Sequence, residues 1–461
     1  MKASTRTRYE KAERLPRFPA GEPGTSRLHA PSLTNGTRRL RITIVNDAPL
    51  SFNPRSVKEA DALEERGYSV RVVSVGKSAR LTAATARLVE EHKWDYQSVD
   101  YDPGNFTGFL RWALSGTVQK AFKSLSRYQF KFGLAERSLC RYQRAFLKVA
   151  ASVPTDMYIA HNLTSLPIAA AAAKIRGVPL GFDIEDYHFD EEYPSPGSQF
   201  RRSLKSYLMH KYLPGCSYLS ATSNVMADTI AADLGVRRPE VIYNVFPLSQ
   251  AAGILPPARR IPRHEKEPLI AYWFSHVVGL DRGLQDFILA MPRMKRRVDL
   301  YLRGQVGEGT KDKLLTLAGE AGVRERIFFL PVIDANELIR DAASFDFGLA
   351  LEQPVNRNRQ ITITNKLFTY LLSGIIPVAT ATLGQCEVMH QVDGGGVLYR
   401  PGAIDELASQ MNQFVVNPQR MADAKQVAWE AARSRFCWDV EKQKLIAAIE
   451  PVVRSARPRH A

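Results

Sequence analysis

The chain has 461 residues and is sparing with several things. It has four cysteines, Cys140, Cys216, Cys386 and Cys437, far apart and in no metal-like spacing, so neither a disulfide scaffold nor a zinc module is expected. It has no apolar run of eighteen residues, so no membrane-spanning helix is expected. Its first residues lack an apolar signal-peptide core, and reduced thiols in a cytoplasmic protein are the simplest reading. No Gly-x-Gly-x-x-Gly occurs, which leaves a dinucleotide site little support. No repeat of 20–50 residues is evident.

Acidic residues are missing from two places. Residues 1–40 hold nine Lys/Arg against three Glu, and residues 104–150 hold nine against the single Glu136. These stretches carry nearly all of the net charge of +16. The basicity is therefore local. Residues 1–37, polar with scattered Pro and Gly, read as a disordered basic tail. In 104–150 nine aromatics interleave with the basic residues. Leu139, Tyr142, Phe146 and Val149 fall on one helical face, with Arg137, Arg141, Arg144 and Lys148 mostly on others. Such a stretch suits an anionic membrane surface or a lipid-phosphate acceptor, and equally a soluble helix with its aromatics in the core. No recognised nucleic-acid motif accompanies the charge, so no specific nucleic-acid partner is expected.

What remains has an α/β rhythm. An alternating strand Leu40–Val45, a helix from Arg55 to Arg66 stopped by Gly67, and a strand Tyr68–Val73 form a β-α-β unit, which implies a parallel sheet. The strand Met157–Ala160 leads to His161-Asn162. After an Ala-rich helix and the strand Val178–Phe182 comes Asp183-Ile184-Glu185-Asp186-Tyr187-His188. Both polar clusters follow strand ends, where α/β sheets place their ligands. His161, Glu185, Asp186 and His188 are the candidates for a base or for orienting an acceptor hydroxyl. Residues 249–268, rich in Pro, Arg and Ala, read as a linker between a domain at 38–248 and a second at 269–430. Residues 431–455 read as a terminal helix.

The second domain opens with the strand Leu269–Phe274. The loop through His276, Gly279 and Arg282 then leads into a helix, an arrangement that suits a diphosphate. The strand Phe345–Leu351 ends at Glu352. Next comes Thr362-Ile363-Thr364-Asn365-Lys366-Leu367-Phe368-Thr369-Tyr370-Leu371-Leu372-Ser373-Gly374-Ile375-Ile376-Pro377-Val378-Ala379. Leu367, Tyr370 and Leu371 repeat as one helical face, and Gly374 sits at a helix stop. The polar residues fall at the helix N-terminus, where open N–H groups favour an anion. Both a phosphate cradle and an ordinary loop–helix–strand unit satisfy this pattern.

Asn365, Lys366, Leu367, Phe368, Tyr370, Gly374, Pro377, Val378 and Ala379 resemble the signature Asn-Lys-Leu-Phe-Glu-Tyr-x-x-x-Gly-x-Pro-Val-x-Ala of family-4-like GT-B glycosyltransferases. The first β-α-β unit, the His161-Asn162 and Asp183–His188 loops and Val241–Asn244 also resemble that family, in matching order over residues 40 to 450. The resemblance implies two doubly wound Rossmann-like α/β domains facing a cleft, with the terminal helix returning to the first. It implies transfer of a sugar from a UDP- or GDP-linked donor to a glycan or lipid-linked acceptor, with retention and without cofactor or required metal. His276, Gly279, Arg282, Glu352, Asn365, Lys366 and Thr369 would hold the donor; His161, Glu185, Asp186 and His188 would orient the acceptor. Three departures stand out. Thr369 replaces the Glu that grips the donor ribose, and eight residues before it stands Ile361 in place of the family's first Glu. His276 replaces an Arg. A GT-B-fold binding protein without activity, or a nucleotide-sugar epimerase, is the alternative.

Overall fold

The computed structural model describes residues 39–76, 79–100 and 106–455; the tail expected at 1–37 lies outside them. Two parallel sheets form the frame. The first contains β1 (Arg41–Asn46), β2 (Ser69–Gly76), β3 (Asp95–Asp100), β4 (Met157–His161), β5 (Leu180–Ile184), β6 (Tyr218–Ala221) and β7 (Glu240–Val241), in the order β3-β2-β1-β4-β5-β6-β7. The second contains β8 (Leu269–Val278), β9 (Val298–Val306), β10 (Ile327–Leu330), β11 (Phe347–Ala350), β12 (Ile376–Thr380) and β13 (Val397–Tyr399), in the order β10-β9-β8-β11-β12-β13. Both are doubly wound. The order reverses between β1 and β4 in the first sheet and between β8 and β11 in the second. Crevices open at the carboxyl ends of strands at such points.

The strands are apolar because helices cover both faces. Ile42 and Ile44 belong to one buried cluster and Val45 to another on the opposite face. The Pro54–Glu65 helix starts on Asn53, whose side chain accepts the Ser56 N–H, with Pro54 at the first helical position. In the second domain, the Asn365–Ser373 helix ends at Gly374, which adopts the left-handed conformation (φ 65°). That helix lies unusually close to β11. A Cβ on Gly348 would fall 2.1 Å from the Tyr370 ring, and the Tyr370 hydroxyl donates to the Leu349 carbonyl (3.1 Å).

The chain crosses between domains twice. At the crossing Tyr243, Phe368 and Phe436 pack with ring centroids 5.6–5.9 Å apart. Each such pair contributes about 0.5–1.5 kcal/mol beyond its buried area. Lys58 donates to the Asn244 side chain (3.1 Å) and to the Val245 carbonyl, and lies over the Phe246 and Trp438 rings. The Trp438–Ser455 helix packs against the Pro54–Glu65 helix and the β6–β7 edge of the first sheet.

Three expectations change in detail. The Pro418–Ser434 helix runs through residue 430, so the return begins at 435–437 and not at 431. The β8 strand continues past Phe274 to Val278, with a bulge between Phe274 and Val277 that brings His276 to the surface. Leu139, Tyr142, Phe146 and Val149 do not share one helix. Cys140 is extended and separates Leu134–Leu139 from Gln143–Ala150, and Phe146 is buried in the first domain's core.

Candidate active site

The expected donor residues lie at the switch point of the second sheet. Glu352 follows β11, and Arg282 ends the turn after β8. Glu352 binds Lys366 Nζ at 3.0 Å and Arg359 Nη1 at 2.7 Å, with Arg282 Nη1 at 3.8 Å. Burial pushes this carboxyl upward, but Lys366, Arg359 and Arg282 outweigh it and hold it at about 2. Lys366 also lies over the Trp273 ring. Gly283 makes the approach possible. Its φ is +70°, and a Cβ there would fall 2.3 Å from the Leu351 carbonyl oxygen. Gly279 has an ordinary φ of −131° and starts the turn that carries Arg282.

Two cavities adjoin here and share Thr364 and Lys366. One, of about 420 Å³, is lined by Phe274, Ser275, His276, Arg303, Val332, Ile333, Ala335, Leu338 and Asn365. Its mixture of apolar and polar walls suits a ring with hydrogen-bonding edges. Arg303 is fixed by Asp341 (2.9 and 3.0 Å), Tyr272 (2.9 Å) and the Pro331 carbonyl (2.6 Å). The other, of about 390 Å³, is polar. It is lined by Arg282, Glu352, Asn356, Asn358, Arg359 and Thr362 of the second domain and by Asp186, Glu191 and Tyr193 of the first.

Thr369 lines neither cavity. Its side chain is buried, and its hydroxyl donates to the Asn365 carbonyl one helical turn earlier (3.1 Å). The Thr369 hydroxyl, expected to grip the donor, is engaged inside its own helix.

In the first domain the candidates separate into two groups. His161 and Asn46, paired across β4 and β1, mark the other switch point. His161 is fully buried, with Nε2 2.8 Å from Glu59 and Nδ1 3.3 Å from Glu185 and 3.4 Å from Asp183. Burial alone lowers its pKa, but Glu59, Glu185 and Asp183 raise it to about 10. The ring, expected to orient an acceptor, is a member of an internal network and has no exposed surface. Arg55 completes the network. It grips both oxygens of Asp183 (2.6 and 2.7 Å) and donates to the Ile242 carbonyl (2.9 Å). Among the described residues, His161, Asp183 and Glu185 are close enough to share a metal ion, but Asp183 would first have to release Arg55. Glu185 is oriented from below by Asn53 Nδ2 (3.0 Å).

Asp186 lines the polar cavity, whereas His188 is buried behind it and lines neither cavity. Asp186 accepts from Asn358 Nδ2 (2.8 Å), and burial raises its carboxyl above the usual range despite His188. His188 Nδ1 lies 2.9 Å from Glu191; burial lowers its pKa, and Glu191 reverses this to a net rise. Lys205 binds Glu191 at 2.5 Å. A seam joins the domains around this loop. Asn358 accepts from the Tyr187 N–H (2.7 Å), the Arg357 N–H donates to Asp190 (3.0 Å), and Tyr193 donates to Asp281 (2.9 Å). Arg359, Glu191 and Tyr193 were not among the expected site residues. The run Asn356-Arg357-Asn358-Arg359, a polar cluster beside the signature helix, is the sequence signal for Arg359.

Two doubly wound α/β domains facing a cleft are the GT-B arrangement, which solved glycosyltransferase structures share. Residues 53–244 match the family model of the Glycosyl transferase 4-like domain. Structures with this fold include Anabaena HepE in complex with UDP and glucose, at TM-score 0.62 and 18% identity over 90% of this chain and 100% of that one. Sucrose-phosphate synthase of Thermosynechococcus elongatus matches at TM-score 0.59 and 13% identity, over 90% and 100%. A point mutant of S. aureus TarM, in complex with UDP among other ligands, matches at TM-score 0.60 and 10% identity, over 89% and 99%. No curated protein sequence matches the chain.

Proposed function

We propose that this protein is a retaining glycosyltransferase that moves a sugar from a nucleoside-diphosphate donor to a glycan or lipid-linked acceptor, without a required metal. The observation that carries the reading is the convergence of Lys366, Arg359 and Arg282 on Glu352, beside the 420 Å³ cavity. Three cations share two carboxylates, Glu352 and Asp281 (3.6 Å from Arg282 and 3.7 Å from Arg359), which leaves one positive charge in excess for a diphosphate to match. As the bond to the sugar breaks, charge grows on the leaving phosphate, and fixed cations stabilise it without reorganising. The base would occupy the cavity beside His276 and Asn365. Asp186 and Glu191 would face the sugar and acceptor from the first domain, with Glu185 and His188 behind them. The seam between the 186–193 loop and Asn356–Arg359 would exclude water from the reacting centre.

The UDP bound by HepE and TarM supports a uridine donor. The position of Thr369 favours a second reading, a binding protein of the same fold, because the side chain at that position lines neither cavity. Incubation with UDP- and GDP-sugars, with and without glycan acceptors, separates the readings. Acceptor-dependent transfer with the anomeric configuration kept supports the proposal. Turnover without acceptor would indicate an epimerase, and neither binding nor turnover would indicate a scaffold.

A further inference from the structure

The Phe106–Ser126 helix is built inside out for a soluble protein. Its polar side is tied down: Gln119 Nε2 donates to the Ser138 and Leu139 carbonyls (3.0 and 3.1 Å). Arg141 lies over the Trp112 ring and Arg137 over the Phe122 ring, each 4.9 Å from the centroid. Phe106, Leu110, Leu114 and Val118, at four-residue spacing, and Leu125 beyond them are exposed; Leu114 is 66% and Val118 52% accessible. Residues so spaced share one face of a helix. An exposed apolar stripe along about 30 Å of helix marks a docking surface.

Its charge decides what docks. No acidic residue occurs between Pro103 and Ala135, whereas Arg111, Lys120, Lys123, Arg127 and Lys131 do. The side chains of Lys120, Lys123, Arg127 and Lys131 are exposed. A second copy meeting this face about a twofold axis would set these cations against themselves. An anionic bilayer instead offers headgroups to the cations and an acyl boundary to the stripe. Among the described residues no helix is long and apolar enough to cross a membrane. We propose that this helix lies flat in the interface of an anionic lipid bilayer. Arg137 and Arg141, expected from sequence to make that contact, are held against Phe122 and Trp112. Lys120, Lys123 and Arg127 take their place. The inference stands apart from the transferase reading.

Flotation of the full chain with phosphatidylcholine vesicles, with and without phosphatidylglycerol, tests it. Binding to the anionic vesicles that falls as salt rises is expected. Leu114→Glu with Val118→Glu should abolish it, at positions exposed enough to leave the melting temperature unchanged. Lys120→Gln and Lys123→Gln, which do not touch the stripe, should each weaken it about fivefold. Wild-type binding by all variants, no preference for anionic lipid, or a dimer in light scattering that Leu114→Glu dissolves would each overturn the proposal.

Discussion

Replacing Arg55 by Met should unfold the first domain long before the second. Arg55 and Asp183 are each nearly inaccessible, and two hydrogen bonds of 2.6 and 2.7 Å join them. Burial pulls the Arg55 pKa down, and the Asp183 carboxylate pushes it above its ordinary value; Asp183 is held low in turn. Removing the guanidinium strands a carboxylate that retains Ser220 (2.5 Å) and the charged His161 ring, and frees the Ile242 carbonyl. Breaking one side of a buried pair costs about 3–5 kcal/mol. At about 2–4 °C per kcal/mol for a domain of this size, the melting temperature should fall by roughly 6–20 °C. Differential scanning calorimetry reads this directly. Arg55→Met with Asp183→Leu removes both charges and should recover most of the loss. A single variant that loses less than about 1 kcal/mol, as an exposed ion pair would, refutes the network.

Four further outcomes follow from the geometry. The His161 pKa is raised on folding to about 10, so its stabilising contribution is complete below the ordinary value near 6.5 and is lost as pH rises through about 10. Lys58, lowered to about 7 by burial, gains stability over the same span, so the His161 part is read as a difference: the gap in melting temperature between wild type and Glu59→Gln should narrow from pH 6 to 10, and parallel profiles would contradict this. Gly283→Ala should cost about 1–3 kcal/mol through its strained φ and its clash with Leu351, and should weaken nucleotide binding by displacing Arg282; unchanged calorimetry and titration would count against it. Arg359→Ala should weaken a nucleoside diphosphate by about tenfold or more, as a charged hydrogen bond of about 1.5–3 kcal/mol implies, and the monophosphate less. Equal losses would place Arg359 away from the diphosphate. Thr369→Ala should leave nucleotide affinity within about twofold, because its hydroxyl serves Asn365; a large loss would return Thr369 to the donor site.

The frame was legible because its signals are local. Apolar strands, Gly67, Gly374 and the Leu367–Tyr370–Leu371 face all declare themselves within a few residues, and the strand-end rule drew attention to the His161 and Asp183–His188 loops. What a side chain does at a strand end is not local. His161 and His188 look alike in sequence and both are buried, but Glu59, far earlier in the chain on the Pro54–Glu65 helix, pairs with the first, and Glu191, three residues on, with the second. Thr369 looks like part of a ligand-facing helix start, yet the turn of that helix points its hydroxyl at Asn365. Arg359 is hard to place from sequence because it sits on a five-residue helix too short to show a periodicity of its own. The inverted face of Phe106–Ser126 was equally hidden, since periodicity gives a face but not its neighbour.

The claim that the Lys366–Arg359–Arg282 cluster holds a diphosphate is tested most directly by thermal shift of the purified protein against UDP, GDP, ADP, dTDP and CMP, repeated with Lys366→Ala. One nucleoside diphosphate should stabilise the protein, by about 2.7 kcal/mol at a hundredfold excess over Kd, and the variant should lose the shift. A folded protein that shifts with none of the five, or a shift that survives the loss of Lys366, would contradict the account.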